Sequence, residues 1–216
     1  MKEIKSYVPR GRATQAQQQA LENAGEKLLC LNKPLQEQWR WASGRKLCVE
    51  LGCGSGENLL QMAAQEPEHA FIGVDVYTPG LGKLLARAGD LANMRVLKGD
   101  HQDLFSGCIA TPEIDLLMLF FPDPWPKTRH HKRRLINRQL LDLLRERLTP
   151  SGELWIATDW HNYAEQIIAL FAAQPAWQPV FTPPPLQRAV TAFERKALAA
   201  PRGIFEHRWR LASHEQ

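Results

Sequence analysis

The sequence predicts a doubly wound α/β fold, one mainly parallel sheet with helices on both faces. Three observations carry that expectation. An apolar strand over residues 46–51 runs straight into the turn Gly52-Cys53-Gly54-Ser55-Gly56 and then into a helical stretch from Glu57. Strand, glycine turn and helix in that order are the ligand-binding entry of such a sheet. Further apolar runs recur at residues 70–76, 94–98, 114–119 and 152–158, with helical patterns between them, as crossover connections require. An acid follows or closes these runs: Glu50, Asp75, Asp100, Asp123 and Asp159. All five fall at carboxyl ends, the rim where open α/β sheets bind ligands.

Composition agrees with one globular domain. The chain has 216 residues, 44% hydrophobic and 23% charged, enough to bury a sizeable core. Net charge is +4 with a pI near 9.0, so the clustering of cations says more about nucleic acid than their total does. No run of ~18 apolar residues is present, and a membrane span is not expected. Residues 1–7 lack the apolar core of a signal peptide. Cys30, Cys48, Cys53 and Cys108 form no Cys-x-x-Cys pair and read as free thiols of a reducing compartment, the cytoplasm, not as metal ligands or disulfides. Neither a repeat nor a linker stands out. Residues 1–31 are expected to form a basic arm and helix, and residues 32–216 one domain.

Taken in order, residues 1–13 carry Lys2, Lys5, Arg10 and Arg12 with little apolar material, either an RNA-touching arm or a solvated terminus. Thr14-Gln15-Ala16-Gln17 has the Thr-x-x-Gln form of a capping box, so a helix starts at Gln15 and is expected to run to about Leu31. The glycine loop reads Glu50-x-Gly52-x-Gly54-x-Gly56, not the Gly-x-Gly-x-x-Gly of dinucleotide proteins. An acid at this strand end repels a pyrophosphate and suits a cation. S-adenosylmethionine (SAM) fits: it carries a sulfonium and an ammonium and no phosphate. Asp75 lies about 20 residues beyond the loop, where an acid accepts from ribose hydroxyls or caps the next turn. Residues 77–82 read as a loop and 84–91 as a helix. Asp100, or Asp103 one turn on, is placed to receive the adenine amino group. Leucines at helical spacing over 135–148 form a packing face. A helix is expected over 161–173, a strand-like piece over 177–182, and a last antiparallel strand over 204–211.

The densest chemistry is Phe120-Phe121-Pro122-Asp123-Pro124-Trp125-Pro126-Lys127-Thr128-Arg129-His130-His131-Lys132-Arg133-Arg134. Two prolines stiffen the backbone around Asp123. A rigid acid, an indole and a dense run of cations suit a site that holds a base and its phosphates. The cations are expected at the start of the helix over 135–148, where the macrodipole disfavours them, which argues that a ligand placed them there. Trp125 is either a stacking surface for a base or a core aromatic.

The string from Pro122 to Arg134 resembles the signature of the bacterial tRNA (guanine-N7)-methyltransferases. Supporting matches are Arg10-Gly11-Arg12 with Thr14, Glu50-Leu51-Gly52-x-Gly54, Phe71-Ile72-Gly73, Thr158-Asp159-Trp160 and Thr191-x-Phe193-Glu194. The resemblance implies the SAM-dependent methyltransferase (Rossmann-like) form of the fold, seven strands with the last antiparallel. It implies methylation of a tRNA variable-loop guanosine, position 46, by a monomer or homodimer without an obligate partner. Its SAM carboxylates fall on Glu50, Asp75, Asp100 and Asp123. Its substrate contacts fall on Lys127, Asp159 and the segment with Thr191, Phe193 and Glu194. The basic run itself, apart from the resemblance, makes Arg129, Lys132, Arg133 and Arg134 the expected phosphate-holding cations. Two departures stand out. Asp75 replaces the family's usual Glu, which keeps the charge and shortens the reach by one methylene. After Glu194 the tail diverges, which leaves open a paralogue acting on another RNA guanosine.

Chemistry supports the same reading. Guanine N7 has a free lone pair and no proton, so its alkylation needs alignment and no general base. The ring becomes cationic as the methyl arrives, and a fixed carboxylate stabilises that charge. Asp123 is the expected catalytic group. The basic run argues against a small-molecule methyltransferase, Glu50 and the glycine spacing against an NAD-dependent oxidoreductase, and the retained Glu50 and Asp123 against a non-catalytic RNA-binding relative.

Overall fold

The computed structural model describes residues 11–31, 38, 40–107, 113–191, 194–195 and 203–212. The elements are α1 (Gln15–Glu22), β1 (Leu28–Leu29), β2 (Leu47–Leu51), α2 (Glu57–Gln65), β3 (Ala70–Asp75), α3 (Thr78–Arg87) and β4 (Met94–Lys98). Then follow α4 (His101–Gly107), β5 (Ile114–Phe120), α5 (Arg138–Arg145), β6 (Leu148–Thr158), α6 (His161–Ala172), β7 (Trp177–Pro179) and β8 (Phe205–Leu211). They build one sheet of order β1-β4-β3-β2-β5-β6-β8-β7. Strands β1 to β6 pair in parallel, and β8 runs antiparallel to both β6 and β7. The expected seven strands are present, with the two-residue β1 added at the edge.

The chain winds from β2 to β3 on one side and returns to β5 on the other, so the order reverses between β2 and β5. A crevice opens there at the carboxyl ends. Every residue of β2 is buried, the pattern of a parallel strand covered on both faces. One face packs Val49, Leu51, Leu117 and Leu119 against Leu140, Leu141 and Tyr163 of α5 and α6. The other packs Cys48, Phe71, Met118 and Trp155 against Leu59, Met62, Leu81 and Leu84 of α2 and α3. Among the described residues, no helix is long and apolar enough to cross a membrane.

Several boundaries differ from the sequence expectation, each for a local reason. The Thr14–Gln17 capping box forms, with Thr14 N donating to Gln17 Oε1 at 2.9 Å and Gln17 N to Thr14 Oγ1 at 3.3 Å. The helix ends at Glu22, however, and not near Leu31, because the chain turns through Gly25 at φ +54° and delivers Leu28 and Leu29 to the sheet beside Val96 and Leu97. Residues 77–82 are not a loop. Pro79 is accommodated in the first turn of α3, and Gly82 lets α1 approach, since a Cβ there would lie 2.4 Å from Gln17 O.

The largest correction concerns the basic run. Thr128–Arg133 is a separate 3-10 turn, and α5 starts only at Arg138, capped by Asn137, whose Oδ1 accepts from Leu140 N at 3.0 Å. Ile136, fully buried between them, hands the chain from one to the other. The cations therefore do not sit at an α-helix N-terminus, and the macrodipole gives no argument about them. The expected strand over 177–182 stops at Pro179. The arm of residues 1–10, with Arg10, and the break at 32–34 lie outside the described residues.

Candidate active site

The loops after β2, β3, β4 and β5 enclose a cavity of about 400 Å³, within the usual size of small-molecule sites. Glu50, the glycine turn, Asp75, Asp100, His101 and Asp123 line it, and Thr191 reaches it from the tail. The four carboxylates expected from separate strands thus converge on one space.

Glu50 is only 4% exposed. Burial pushes its carboxyl up to about 8; the neighbouring Asn58 side chain and Leu59 backbone lower the value, and the Asp75 charge raises it. Its Oε2 is buried with no hydrogen-bond partner. A buried carboxylate oxygen left open beside a cavity is costly. A cation with N–H donors relieves that cost. The glycine turn supplies the space: Gly52 and Gly54 adopt φ +79° and +54°, and a Cβ at either would meet nothing within 4 Å. Gly56 behaves differently. It does not line the cavity, and a Cβ on it would lie 2.4 Å from Leu84 Cδ1. Its role is packing of α2 on α3, which corrects its assignment to cofactor binding.

Asp75 does both things the sequence left open to it. Its Oδ2 accepts from Gly54 N and its Oδ1 from Tyr77 N, each at 2.7 Å, so it braces the glycine turn and caps the next one. It still lines the cavity, and each oxygen keeps a further lone pair. Burial raises its pKa, opposed by these backbone hydrogen bonds, with the Asp123 charge adding to the rise. Between Asp100 and Asp103 the geometry chooses the first for the cavity. Asp100 Oδ1 accepts from Gln102 N and Asp103 N, while Asp103 Oδ2 accepts from Asp100 N at 2.9 Å. Asp100 caps α4 and lines the cavity; Asp103 does not line it.

Asp123 also lines the cavity, half-buried, two residues beyond a strained Phe121 at φ +51°. Such a conformation is held only when its surroundings over-determine it. Here Phe121 N donates to Ala157 O at 2.8 Å, and the Arg188 guanidinium lies 5.6 and 5.7 Å from the Phe120 and Phe121 rings. Trp125, at φ +45°, is half-buried and flanked by His130 and by the Arg133 guanidinium 4.8 Å from its ring. The basic turn thus folds against its own indole.

The cations separate into two kinds. Lys127, Arg129 and Lys132 are exposed. Arg134 is 1% exposed: its Nε donates to Pro124 O at 2.8 Å, Nη2 to Asn162 Oδ1 at 2.9 Å, Nη1 to Gln166 Oε1, and its guanidinium covers the Tyr163 ring at 4.7 Å. Arg134 therefore fastens the Asp123 loop to α6 and is unavailable to phosphates, contrary to the sequence reading. Glu194 is corrected likewise. It is 6% exposed and pairs through both oxygens with Arg188, so it holds the tail in place. Thr191 Oγ1 accepts from Glu194 N at 3.2 Å. Phe193 lies outside the described residues. Asp159 follows β6 on the same rim, half-buried, but does not line the cavity.

Two residues were missed. Asn58 neighbours Glu50 and also accepts from Ala189 N at 2.8 Å. Arg188 ties Glu194 and Glu206 while covering Phe120 and Phe121. The sequence marks Asn58 only as a first-turn helix residue and Arg188 only as a tail cation. Their partners are distant in the chain.

Comparison with known proteins agrees with this geometry. A family profile described as "Putative methyltransferase" matches residues 44–207. A tRNA (guanine-N(7)-)-methyltransferase of Pseudomonas putida strain F1 is 38% identical, over 94% of this chain and 89% of its own. The enzyme of the same description from Ectopseudomonas mendocina is 39% identical, over 94% and 90%. The chain belongs to the tRNA (guanine-N7)-methyltransferase family. Among solved structures, the 16S rRNA methyltransferase KamB superposes with a TM-score of 0.59 at 13% identity, covering 82% of this chain and 94% of that one. A 16S rRNA (adenine(1408)-N(1))-methyltransferase variant with cosubstrate SAM, from Catenulisporales acidiphilia, gives 0.56 at 16%, covering 85% and 93%. At those identities the likeness is one of fold, a SAM-dependent methyltransferase sheet. The donor set suits SAM on this structure's own terms: Glu50's open oxygen for the ammonium, Asp75 for ribose hydroxyls and Asp100 for the adenine amine.

Proposed function

We propose that this protein methylates N7 of a guanosine in tRNA, using SAM, and that the guanosine is position 46 of the variable loop. The observation that carries the reading is that Glu50, buried with an open oxygen, and Asp123 line one cavity. Family membership supplies the substrate class. The cytoplasm is the compartment consistent with that substrate.

When bound, SAM supplies a methyl group on an electrophilic sulfonium. The chain's own residues do the rest. Glu50 binds and fixes the amino-acid end, and Asp75 and Asp100 fix the nucleoside. Asp123, held by Phe121 and Arg134, takes the Watson–Crick edge of the guanine, accepting from N1–H and the amino group. N7 on the opposite edge then faces the methyl. The lone pair on N7 forms the new bond to carbon as the methyl–sulfur bond breaks and its electron pair stays with the sulfur, and no proton is lost from the purine. As the purine becomes cationic, the Asp123 carboxylate stabilises it. The variable-loop base must leave its stack to reach the cavity, at a cost of a few kcal/mol. Exposed Lys127, Arg129 and Lys132 beside the opening hold the flanking phosphates.

The test is incubation of the purified protein with methyl-labelled SAM and tRNA lacking 7-methylguanosine. Label is expected in tRNA and not in 16S rRNA or free guanosine; label in rRNA alone would contradict the proposal.

A further inference from the structure

Helix α6 and strand β8 share two aromatic pairs that differ in burial. Phe205, His207 and Trp209 alternate onto one face of β8, opposite Thr158, Ile156 and Leu154 of β6. That is the face α6 covers. At the far end of α6, Phe171 stacks on Trp209 with ring centroids 3.9 Å apart, and both are core residues. At its first turn, His161 meets Phe205 with centroids 5.3 Å apart, and this pair is open. The His161 side chain is 71% exposed, Phe205 is half-buried, and His207 beyond it is exposed. Glu165 Oε1, 3.2 Å from His161 Nε2, holds the imidazole. Topology sets the place of the open pair. Strand β8 is antiparallel to β6, so its first residue lies on the rim where β5 and β6 end. Strands β5, β6 and β8 are consecutive in the sheet, so Phe205 stands two strand spacings, about 10 Å, from the end of β5 that leads to Asp123. The other side of the α6 first turn receives the basic turn, through Arg134 on Asn162 and Gln166. The cavity, the exposed cations and the open aromatic pair therefore share one rim.

We propose that the rings of His161 and Phe205 form a stacking surface for a tRNA base that flanks the target guanosine. The proposal rests on the reading of the cavity as a tRNA methylation site and adds a contact for its substrate. When the guanosine leaves its stack, the bases beside it lose a partner. Unstacked RNA bases are held on the faces of Phe and His rings, and such stacking tolerates any base because each has a π-face. The surroundings favour RNA over an apolar protein partner. Exposed Lys127, Arg129 and Lys132 lie on the other side of the same helix turn, so one strand can lay its phosphates on the cations and a base on the aromatic pair. The contrast with Phe171 and Trp209 supports the same reading: α6 and β8 close the pair that belongs to the core and leave open the pair that lies on the rim.

The test is binding of unmodified tRNA by the full chain carrying His161→Ala and Phe205→Leu together. Leucine keeps an apolar side chain at the strand start and removes the ring face. Affinity is expected to fall about tenfold, the loss of one stacked base. The dependence on salt should keep its wild-type slope, because no phosphate contact is lost, and SAM affinity and melting temperature should stay put. Phe205→Tyr, which retains the face, should bind tRNA as the wild type does. A merely structural role would lower the melting temperature instead. Equal tRNA affinities for wild type and the double variant would overturn the proposal. Should the double variant fail to fold, short-wavelength ultraviolet crosslinking of the wild-type complex decides: a base joined to His161 or Phe205 supports the platform, and crosslinks confined to the basic turn overturn it. A wild-type dimer that His161→Ala dissociates, with tRNA affinity kept, would make the face an interface between copies and overturn the proposal too. A wild type that binds no tRNA would overturn the functional reading as well, which sets that failure apart.

Discussion

Asp75 Oδ2 accepts from Gly54 N at 2.7 Å, so the carboxylate that closes β3 also holds the glycine turn that follows β2. Cofactor binding and loop order therefore share one side chain. Asp75→Ala is expected to weaken SAM by tenfold or more, since it removes a ribose acceptor and loosens the turn. Calorimetric titration checks it; an unchanged affinity would mean the turn stands without Asp75.

Glu50 makes two linked predictions. Its folded carboxyl titrates near 8, raised first by burial and then by the Asp75 charge, against about 4.3 in an unfolded chain. The folded state holds the proton between those values and the unfolded state does not, so Glu50 makes stability fall as pH rises from about 4.3 to 8. Glu50→Gln is therefore expected to raise the melting temperature of the free protein at pH 8, while weakening SAM. In wild type, SAM affinity should increase as pH rises toward 8, because the cation favours the ionised acid. Melting curves and titrations at pH 6, 7 and 8 check both. A variant less stable than wild type at pH 8 would contradict the assigned burial.

The cations are expected to sort by exposure. Arg134→Ala should cost about 2–4 kcal/mol of stability, through three lost hydrogen bonds and the Tyr163 contact. Lys127, Arg129 and Lys132, changed together to Ala, should leave stability almost unchanged, weaken tRNA binding and flatten its dependence on salt. Thermal denaturation and filter binding at several salt concentrations separate the two. Equal salt slopes for wild type and the triple variant would make the exposed turn an ordinary solvated face.

The contrast between Arg134 and Lys132 also shows what the sequence makes legible. The rim acids Glu50, Asp75, Asp100 and Asp123 were readable because parallel strands must end on one rim, and helix α2 was readable to the residue because Gly56 and Glu57 mark its start. Arg134 was misread because six charged or imidazole side chains in a row look alike. Only Gln166, Asn162 and Tyr163 of α6, some 30 residues on, distinguish it from its neighbours. Gly56 was misread for a similar reason: its conflict is with Leu84 on another helix. The start of α5 was misplaced because leucine spacing shows a packing face but not the Asn137 cap that begins the helix. Pairings across the fold, such as Asn58 with Ala189, carry no local signal.

Asp123 carries the catalytic part of the account. Asp123→Asn keeps the shape and removes the charge, so single-turnover methylation is expected to fall by about one hundredfold or more, with tRNA affinity changed much less. Rates within about twofold of wild type would move the role to another acid, with Asp159 next along the rim.

The most direct measurement locates the methyl group. Methylation at N7 leaves a cationic purine that borohydride reduces, and aniline then cleaves the chain at that nucleotide. Unmodified tRNA incubated with the protein and SAM is expected to break at one place, the variable-loop guanosine at position 46, and not when SAM is withheld. An intact tRNA that has nonetheless taken up labelled methyl, or a break elsewhere, would contradict the account.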